Sequence, residues 1–401
     1  MSSFRGRLLE VDLAARSSRV VPLDASYCRQ YLGGVGLAVR LLWEYSRPGV
    51  DPLHPDNPVV LATGAMAGTM APTGNKYAIA TRSPLTGFVG DSISSGDWPL
   101  ALKGAGYDAL VVLGSASAPT YLFVDDDRVY FRAADSLWGA QCWDTEELVR
   151  RELGDDSVRV ASIGPAGERL VRYACVSNDY SRQAGRTGPG AVLGSKRLKA
   201  IAVRGTKPVA AADPEKLRRI CLDLYQRSQG AATEKYRVLG TPANVLVLNR
   251  LAALPTRNFQ QSTFEGAEKV SGEWFYQRHL AKVIACSGCP IGCAHVYRVS
   301  DGPYSGTLVP MDYESLYALG PLCGVDDAAA VLKAAELCDR YGLDTMSAGA
   351  ASAWAMECYE RGVITQEQAD GLELRFGNGA AVVAMVERIG LRQGLGKLLG
   401  E

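Results

Sequence analysis

The sequence predicts an α+β protein in which a β-rich N-terminal domain, residues 1–208, is followed by an incomplete α-helical domain, residues 209–401. Short apolar runs bounded by Gly, Pro or Asp fill most of the first domain, as expected for sheet strands. Beyond about Asp213 the apolar residues recur at helical spacing. Pro208 and the Ala-Ala-Asp before Pro214 indicate the boundary, with Asp213 as N-cap and Pro214 at the first helical position.

Strands are expected throughout the first domain. Residues 8–12 and 19–23 flank a polar turn, which is typical of paired strands. Residues 27–45 have helical periodicity that is interrupted by Gly33-Gly34-Val35-Gly36. Further strands are predicted at residues 59–63, 77–81, 109–113, 121–124, 129–132, 158–162 and 200–203.

Helices dominate the second domain. The spacing of apolar residues predicts them at residues 214–229, 242–254, 328–341, 347–361 and 380–390. Residues 393–401 begin a new apolar-periodic segment that stops after about one turn, which is not stable by itself because helix nucleation is costly. Fraying of a natural end is the alternative, but the pattern favours a chain truncated at its C-terminus.

The composition is that of a globular protein and excludes several function classes. Of 401 residues, 47% are hydrophobic and 21% are charged, and Lys plus Arg equals Asp plus Glu at 43 each. No basic tract indicates a nucleic-acid partner. The N-terminus lacks the apolar region of a signal peptide, and no apolar run reaches the roughly 20 residues that cross a bilayer. We therefore expect a cytoplasmic protein without membrane contact.

Three of the ten cysteines are clustered in the segment Cys286-Ser-Gly-Cys289-Pro-Ile-Gly-Cys293. Thiolates so close on a Gly- and Pro-containing loop can converge on one metal centre, and this spacing favours an iron–sulfur cluster whose fourth ligand comes from elsewhere. Zinc with His295 as a fourth ligand is the competing interpretation, and a chance group of buried thiols is the third. The other cysteines are expected in the core: Cys28, Cys142, Cys175, Cys221, Cys323, Cys338 and Cys358.

Two Gly-rich segments of the first domain are candidate phosphate-binding loops. Residues 87–96 contain Ser92, Ser94 and Ser95 and lead into a short helix, whose N-terminal amides suit an anion. Residues 181–190 place arginines among glycines, which allows close backbone approach to a phosphate. Neither segment has Rossmann or Walker spacing, and ordinary turns between strands are the alternative for both.

The helix over residues 328–341 is expected to end at Gly342, a natural left-handed C-terminal residue. Asp339 and Asp344 flank this end, and their carboxylates could accept hydrogen bonds from the N–H groups of a pterin. The alternative is a plain helix end with Asp339 as a solvated side chain.

Taken in order along the chain, these features resemble the aldehyde ferredoxin oxidoreductase family. The order is a Gly/Ser-rich β domain, an Arg–Gly loop, C-x2-C-P-x2-C, an acidic Tyr motif and D-x-x-G-L-D, and the resemblance covers essentially the whole chain. It also includes Thr73-Gly74-Asn75-Lys76, Ser83-Pro84-Leu85-Thr86-Gly87, Gly104-Ala105-Gly106-Tyr107-Asp108, Ala184-Gly185-Arg186 and Gly194-Ser195-Lys196.

The resemblance implies a tungsten or molybdenum bis-pterin centre next to a 4Fe–4S cluster. The β domain would be the base for two pterins, whose phosphates are bridged by magnesium near the carbonyls of Ile93 and Ala184. Lys76 lies where family members carry an arginine between pterin and cluster. Lysine keeps the positive charge but lacks the planar, forked guanidinium group of arginine. Three cysteines match cluster ligands: Cys286, Cys289 and Cys293. The implied cofactor-binding residues are Lys76, Ser92, Ile93, Ser94, Ser95, Gly96, Ala184, Gly185, Arg186, Asp339, Gly342, Leu343 and Asp344.

The sequence departs from the family by absence. The family's second pterin motif, D-x-x-G-L-C, donates the fourth cysteine and has no counterpart here. The family's active-site histidine and third domain also have no counterpart. None of His54, His279 or His295 replaces that histidine. The resemblance therefore implies that a separate chain supplies the remainder or that the sequence is a fragment. A homodimer is plausible by resemblance alone.

The implied reaction oxidises a small aldehyde to a carboxylic acid and passes electrons through the cluster to ferredoxin or another carrier. Glu314, with Asp312 second, lies where members supply an active-site carboxylate. Burial near the metal would raise its pKa into a range useful for proton transfer. A helix-terminal acid is the alternative. Three other functions stay open: a related reductase such as the catalytic subunit of an aromatic acyl-CoA reductase, a non-catalytic iron–sulfur subunit, and a degraded product that binds nothing.

Overall fold

The structure, a computed structural model, describes residues 3–401. The chain forms two compact units. Unit 1 comprises Met1–Gln226 together with Cys286–Cys289, and unit 2 comprises Arg227–Ala285 and Pro290–Glu401.

Unit 1 contains two six-stranded sheets. The first has the order β2-β1-β6-β3-β4-β5, and its neighbours are antiparallel except for the parallel pair β1 and β6. Its strands are β1 (Arg7–Asp12), β2 (Ser17–Pro22), β3 (Val59–Thr63), β4 (Lys76–Arg82), β5 (Val89–Ser95) and β6 (Ala109–Leu113).

The second sheet has the order β11-β10-β9-β12-β7-β8, with β12 parallel to β7. Its strands are β7 (Thr120–Asp125), β8 (Arg128–Ala133), β9 (Arg159–Ser162), β10 (Val176–Asn178), β11 (Arg182–Ala184) and β12 (Leu198–Arg204). The helices of this part of the chain are α1 (Ala25–Tyr31), α2 (Gly34–Tyr45), α3 (Trp98–Ala105), α4 (Cys142–Leu153), α5 (Pro165–Glu168), α6 (Pro189–Ser195) and α7 (Pro214–Arg227).

One hydrophobic core joins the two sheets. Leu61 and Ile79 of the first sheet and Leu122 and Ile201 of the second belong to it, with Trp98 of α3 fully buried among them. Two smaller cores cover the other faces, where α2 packs on the first sheet and α4 on the second. The β-rich unit is therefore a layered scaffold that fixes its loops and sheet edges.

Unit 2 is mainly helical. Its helices are α8 (Ala231–Val238), α9 (Asn244–Arg250), α10 (Gly272–Arg278), α11 (Tyr313–Leu319), α12 (Ala328–Tyr341), α13 (Thr345–Glu360), α14 (Gly379–Leu391) and α15 (Gly396–Leu399), with short 3₁₀ helices at Thr241–Ala243, Ala267–Val270 and Pro321–Cys323. A three-stranded antiparallel sheet consists of β13 (Leu280–Ile284), β14 (Ala294–Arg298) and β15 (Leu308–Met311).

The α+β class is confirmed, and each strand predicted in the first domain is present. Asp213 caps α7 as expected, since its carboxylate accepts a 2.9 Å hydrogen bond from the Lys216 amide. The helix expected at residues 242–254 is shorter, because a 3₁₀ turn at Thr241–Ala243 precedes α9. The small sheet of unit 2 was not predicted. β13 is largely exposed and so lacks the alternating apolar pattern that identifies a strand from sequence.

The scattered cysteines are mostly core residues, as expected. All are buried except Cys358, which is half-buried. Among residues 3–401, no helix has the length and apolar character required to span a bilayer.

Candidate functional site

The first two clustered cysteines lie on a tight turn of unit 1. The Cys289 amide donates to the Cys286 carbonyl at 2.9 Å, and Gly288 between them has φ +70°, a conformation that glycine adopts without cost. Both thiols are half-buried, in contrast to the core cysteines. The turn therefore presents two thiols at a partly accessible surface.

Two polar side chains of the β-rich scaffold bind this turn. The Ser95 hydroxyl lies 3.2 Å from the Cys286 sulfur, and the Asn75 side-chain amide donates to the Ser287 carbonyl at 3.0 Å. Asn75 is only 4% exposed, and its oxygen accepts from the Gly68 amide at 2.9 Å. The first two residues of the turn are thus each contacted by a polar side chain of unit 1.

Cys293 belongs to unit 2, where it follows Gly292 with φ +62°. The nearby His295 is fully buried. Its Nδ1 lies 3.1 Å from the Cys293 carbonyl oxygen and its Nε2 lies 2.9 Å from the Val238 carbonyl oxygen. Since both ring nitrogens are engaged with carbonyl oxygens, the expectation that His295 could be a zinc ligand has no support here.

Within residues 3–401, no three His, Cys, Asp or Glu side chains form a group that could hold a single metal ion. A four-iron cluster has a different requirement, because its thiolates bind different iron atoms around a cube. The thiols of Cys286 and Cys289 in unit 1 and of Cys293 in unit 2 are each half-buried rather than enclosed in a core.

The segment expected as the first phosphate-binding loop forms the edge strand β5 instead of a loop. Ser92 and Ser94 point inward, where Ser92 bonds the Arg186 carbonyl and Ser94 lies 2.8 Å from the Asn178 side-chain oxygen. Ile93 points outward and is 53% exposed. Small serines that bond inward give no apolar alternation, so the sequence resembles a loop.

The N-terminus of α3 does not offer its amides to a phosphate either. The Asp179 carboxylate accepts from the Asp97 amide at 2.7 Å and from the Trp98 amide at 3.4 Å. Gly96 has φ +107°, and a Cβ atom there would overlap this carboxylate. The protein itself therefore supplies the anion at this helix terminus.

The second Gly-rich segment contains the short edge strand β11, which also departs from the loop expectation. Ala184 is buried at its end, and the following Gly185 carbonyl accepts from the Cys175 thiol at 3.2 Å. Arg186 is exposed. Because β5 and β11 are edge strands of different sheets that contact each other, the segments containing Ile93 and Ala184 are neighbours.

Lys76 is exposed at the start of β4 and lies directly opposite Ser95 of β5. Residues opposite each other in an antiparallel pair have side chains on the same face, with Cβ atoms about 5 Å apart. The Lys76 charge is consequently on the same face as the hydroxyl that contacts Cys286.

The junction between α12 and α13 contains the D-x-x-G-L-D residues in unit 2. Gly342 ends α12 in the left-handed conformation, as predicted, with φ +71°. Asp344 caps α13, accepting from the Met346 and Ser347 amides at 3.2 Å. Asp339 is 8% exposed, which excludes the solvated alternative, and Leu343 is 1% exposed.

The two candidate acids lie at the start of α11, where Asp312 is the N-cap residue and Glu314 is in the first turn. Both are exposed, so the expected burial of Glu314 is not a property of this structure. Ser315 and Thr345 are 2.9 Å apart through their hydroxyl oxygens. This contact brings the first turn of α11 next to the N-terminus of α13, which Asp344 caps.

Sequence reasoning missed the residues that support these segments. Asn178 donates to the Ser95 carbonyl at 2.8 Å and lies 2.9 Å from the Tyr77 hydroxyl, and it was not singled out. Asp179, its neighbour, was also missed. Asn75 was part of a matching motif, but nothing in the sequence indicates that its partner is a residue more than two hundred positions away.

Comparison with known proteins defines the class to which this scaffold belongs. The family model described as "Aldehyde ferredoxin oxidoreductase, N-terminal domain" matches residues 8–205, and "Aldehyde ferredoxin oxidoreductase, domains 2 & 3" matches residues 219–401. The chain therefore belongs to the aldehyde ferredoxin oxidoreductase family, as the sequence motifs indicated.

Among its relatives, the tungsten-containing aldehyde ferredoxin oxidoreductase of Pyrococcus furiosus is 40% identical over an alignment that covers 99% of this chain and 66% of that protein. The aliphatic sulfonate oxidoreductase WOR-like subunit of the same organism is 30% identical and is likewise covered to 66%. The chain thus spans 66% of the length of these relatives.

A solved structure has the same fold. It is the active site complex BamBC of benzoyl coenzyme A reductase in complex with 1,5 dienoyl-CoA. The TM-score is 0.86 at 29% identity, and the match covers 100% of this chain and 62% of that one.

Proposed function

We propose that this chain bears the cofactors of a cytoplasmic tungsten- or molybdenum-dependent oxidoreductase that converts aldehydes to carboxylic acids. The main support is the half-buried Cys286–Cys289 turn, which Asn75 and Ser95 contact. The chain that contains it is 40% identical to a tungsten-containing aldehyde ferredoxin oxidoreductase. When bound, a metal–pterin centre supplies the redox chemistry, and a 4Fe–4S cluster relays electrons to ferredoxin or a similar carrier.

In this proposal Cys286, Cys289 and Cys293 are three ligands of the cluster, and the fourth comes from elsewhere. The half-buried state of their side chains supports the assignment, because a ligand must be accessible for loading while its surroundings limit water.

The pterin sites are proposed on both units. The edge-strand position of Ile93 and of Ala184 supports a role for their carbonyls in holding magnesium, since edge strands keep unpaired backbone groups. Asp339 and Asp344 are proposed to accept hydrogen bonds from pterin N–H groups, since both belong to the D-x-x-G-L-D segment at the junction of α12 and α13. Lys76 would lie between pterin and cluster as an exposed cation.

Glu314 is the proposed acid or base for proton transfer. Its position in the first turn of α11, next to the Asp344-capped helix, supports this role. Since transfer by a positioned side chain contributes about 10²–10⁴-fold, Glu314→Gln is expected to lower turnover by that factor without changing the folding free energy. Glu234→Gln is the matched control, because Glu234 is also an exposed first-turn acid of unit 2.

The test is aldehyde-dependent reduction of ferredoxin or a viologen dye under anaerobic conditions. The chain spans 66% of the length of its relatives. The assay is therefore run with the chain alone and with the proposed partner, a polypeptide that supplies the remaining length. A homodimer is the other proposed assembly. Turnover that Glu314→Gln removes and Glu234→Gln retains supports the proposal. Equal turnover of wild type and Glu314→Gln would remove Glu314 from the mechanism.

A reductase acting on an aromatic acyl-CoA thioester is the second candidate. The TM-score of 0.86 to the benzoyl coenzyme A reductase complex favours it. Oxidation of a dienoyl-CoA without aldehyde turnover would select this candidate over the first.

A further inference from the structure

We infer that Ser95 belongs to the iron–sulfur side of the molecule, where its hydroxyl donates a hydrogen bond to the Cys286 sulfur and raises the reduction potential of the cluster. The inference rests on the proposed function, because it requires a cluster on Cys286. It assigns Ser95 a role different from the phosphate contact expected from sequence.

The direction of the hydrogen bond follows from the chemistry of a ligand sulfur. The Ser95 oxygen and the Cys286 sulfur are 3.2 Å apart, and either atom could donate in a thiol. A sulfur bound to iron is a thiolate and has no proton, so only the hydroxyl can donate. The serine must then point its proton at the sulfur.

The donor is held in place by the sheet beneath it. The Ser95 carbonyl accepts from the Asn178 side-chain amide at 2.8 Å. Asn178 is fully buried, and its oxygen bonds the hydroxyls of Tyr77 at 2.9 Å and Ser94 at 2.8 Å. Because this buried network already fixes Ser95, its hydroxyl does not need to be ordered when the cluster is reduced. The hydrogen bond therefore keeps its full effect on the reduction potential.

The acceptor side is fixed as well. The Asn75 amide bonds the Ser287 carbonyl at 3.0 Å, which holds the residue following Cys286. Lys76 lies opposite Ser95 on the same face of the strand pair and adds a positive charge there. Donors and cations near a cluster stabilise its reduced form, because reduction places more negative charge on the sulfurs.

Ser95→Ala, reconstituted with iron and sulfide in the full chain, tests the inference by an EPR-monitored redox titration. We expect the equilibrium constant for reduction of the cluster to fall about tenfold, which lowers the reduction potential of this one-electron couple by about 59 mV. Ser95→Thr keeps a hydroxyl and is expected to restore most of the potential. Ser115→Ala removes a hydroxyl of unit 1 that donates to the Ser195 carbonyl instead, and it should leave the potential unchanged.

Iron content separates the possible failures. Wild-type chain that takes up no iron would overturn the proposed cluster and this inference together. Wild type and Ser95→Ala with equal iron and equal potential would overturn only the inference. A lower potential in Ser95→Ala that Ser95→Thr reverses supports it, since loss of packing alone would not be rescued by the hydroxyl.

Discussion

The two segments proposed to hold the pterins differ in how their polar groups are used by the protein itself. In β5, the hydroxyls of Ser92 and Ser94 bond inward, and the exposed positions are Val89, Asp91 and Ile93. At the α12–α13 junction the acids themselves are buried, and Asp344 also caps a helix. The β5 side can therefore offer a ligand mainly backbone groups, whereas the junction offers charged side chains with a structural role.

Gly96→Ala should have the largest effect on the β5 side. Its φ of +107° is unfavourable for alanine, and the added Cβ would overlap Asp179, which supplies the anion at α3. We expect a loss of about 3 kcal/mol in the free energy of unfolding. Gly87→Ala is the control, since Gly87 has φ +74° but open space around it and should lose only about 1 kcal/mol. Equal losses in urea unfolding would show that the Asp179 contact is unimportant.

Asp344→Ala should have the next largest effect and sharpens the comparison at the junction. Loss of the α13 cap is expected to cost about 1–2 kcal/mol of unfolding free energy. Asp344→Asn keeps a capping oxygen, so its stability should approach that of the wild type while bound tungsten or molybdenum decreases. If Asp344→Asn retains all of the metal, the carboxylate has only the structural role.

The buried Glu146 of α4 makes the stability of unit 1 depend on pH. It bonds the Tyr180 amide at 2.8 Å next to Asp179, and burial raises its pKa from 4.5 to about 8, although the ion pair with Arg150 opposes this shift. Between pH 4.5 and about 8, the Glu146 carboxyl therefore stays protonated in the folded state but is ionised in the unfolded state. Its contribution to stability is present below pH 4.5 and is lost as the pH rises towards about 8.

Glu146→Gln should remove this dependence, gaining stability relative to wild type by about 1 kcal/mol for each pH unit between pH 5 and pH 8. Glu147→Gln, the adjacent exposed acid of α4, is the control and should follow the wild-type profile. Urea unfolding at several pH values measures the difference. Parallel profiles for Glu146→Gln and wild type would contradict the raised pKa.

Much of the fold could be predicted because its signals are local. Apolar runs gave the strands of unit 1, and Asp213 and Gly342 marked helix ends through their capping chemistry. β5 was not predictable in this way, because its inward residues are small serines whose partners lie on a different strand or loop. Periodicity reports burial of apolar side chains and carries no information on such hydrogen bonds.

The candidate site shows the same division. The cysteine motif was evident from its spacing, while the contacts of Asn75 and Ser95 with the turn join residues about two hundred positions apart. The burial of Asp339 and the exposure of Glu314 also depend on tertiary packing that helix position alone does not define.

The metal content of anaerobically purified chain tests the central claim most directly. We expect tungsten or molybdenum together with about four iron atoms per chain, as a 4Fe–4S cluster requires. Iron should decrease in Cys286→Ser and be retained in Cys358→Ser, which changes a half-buried cysteine outside the turn. Zinc in place of iron, or equal iron in both variants, would contradict the assignment of the Cys286–Cys289 turn to an iron–sulfur cluster.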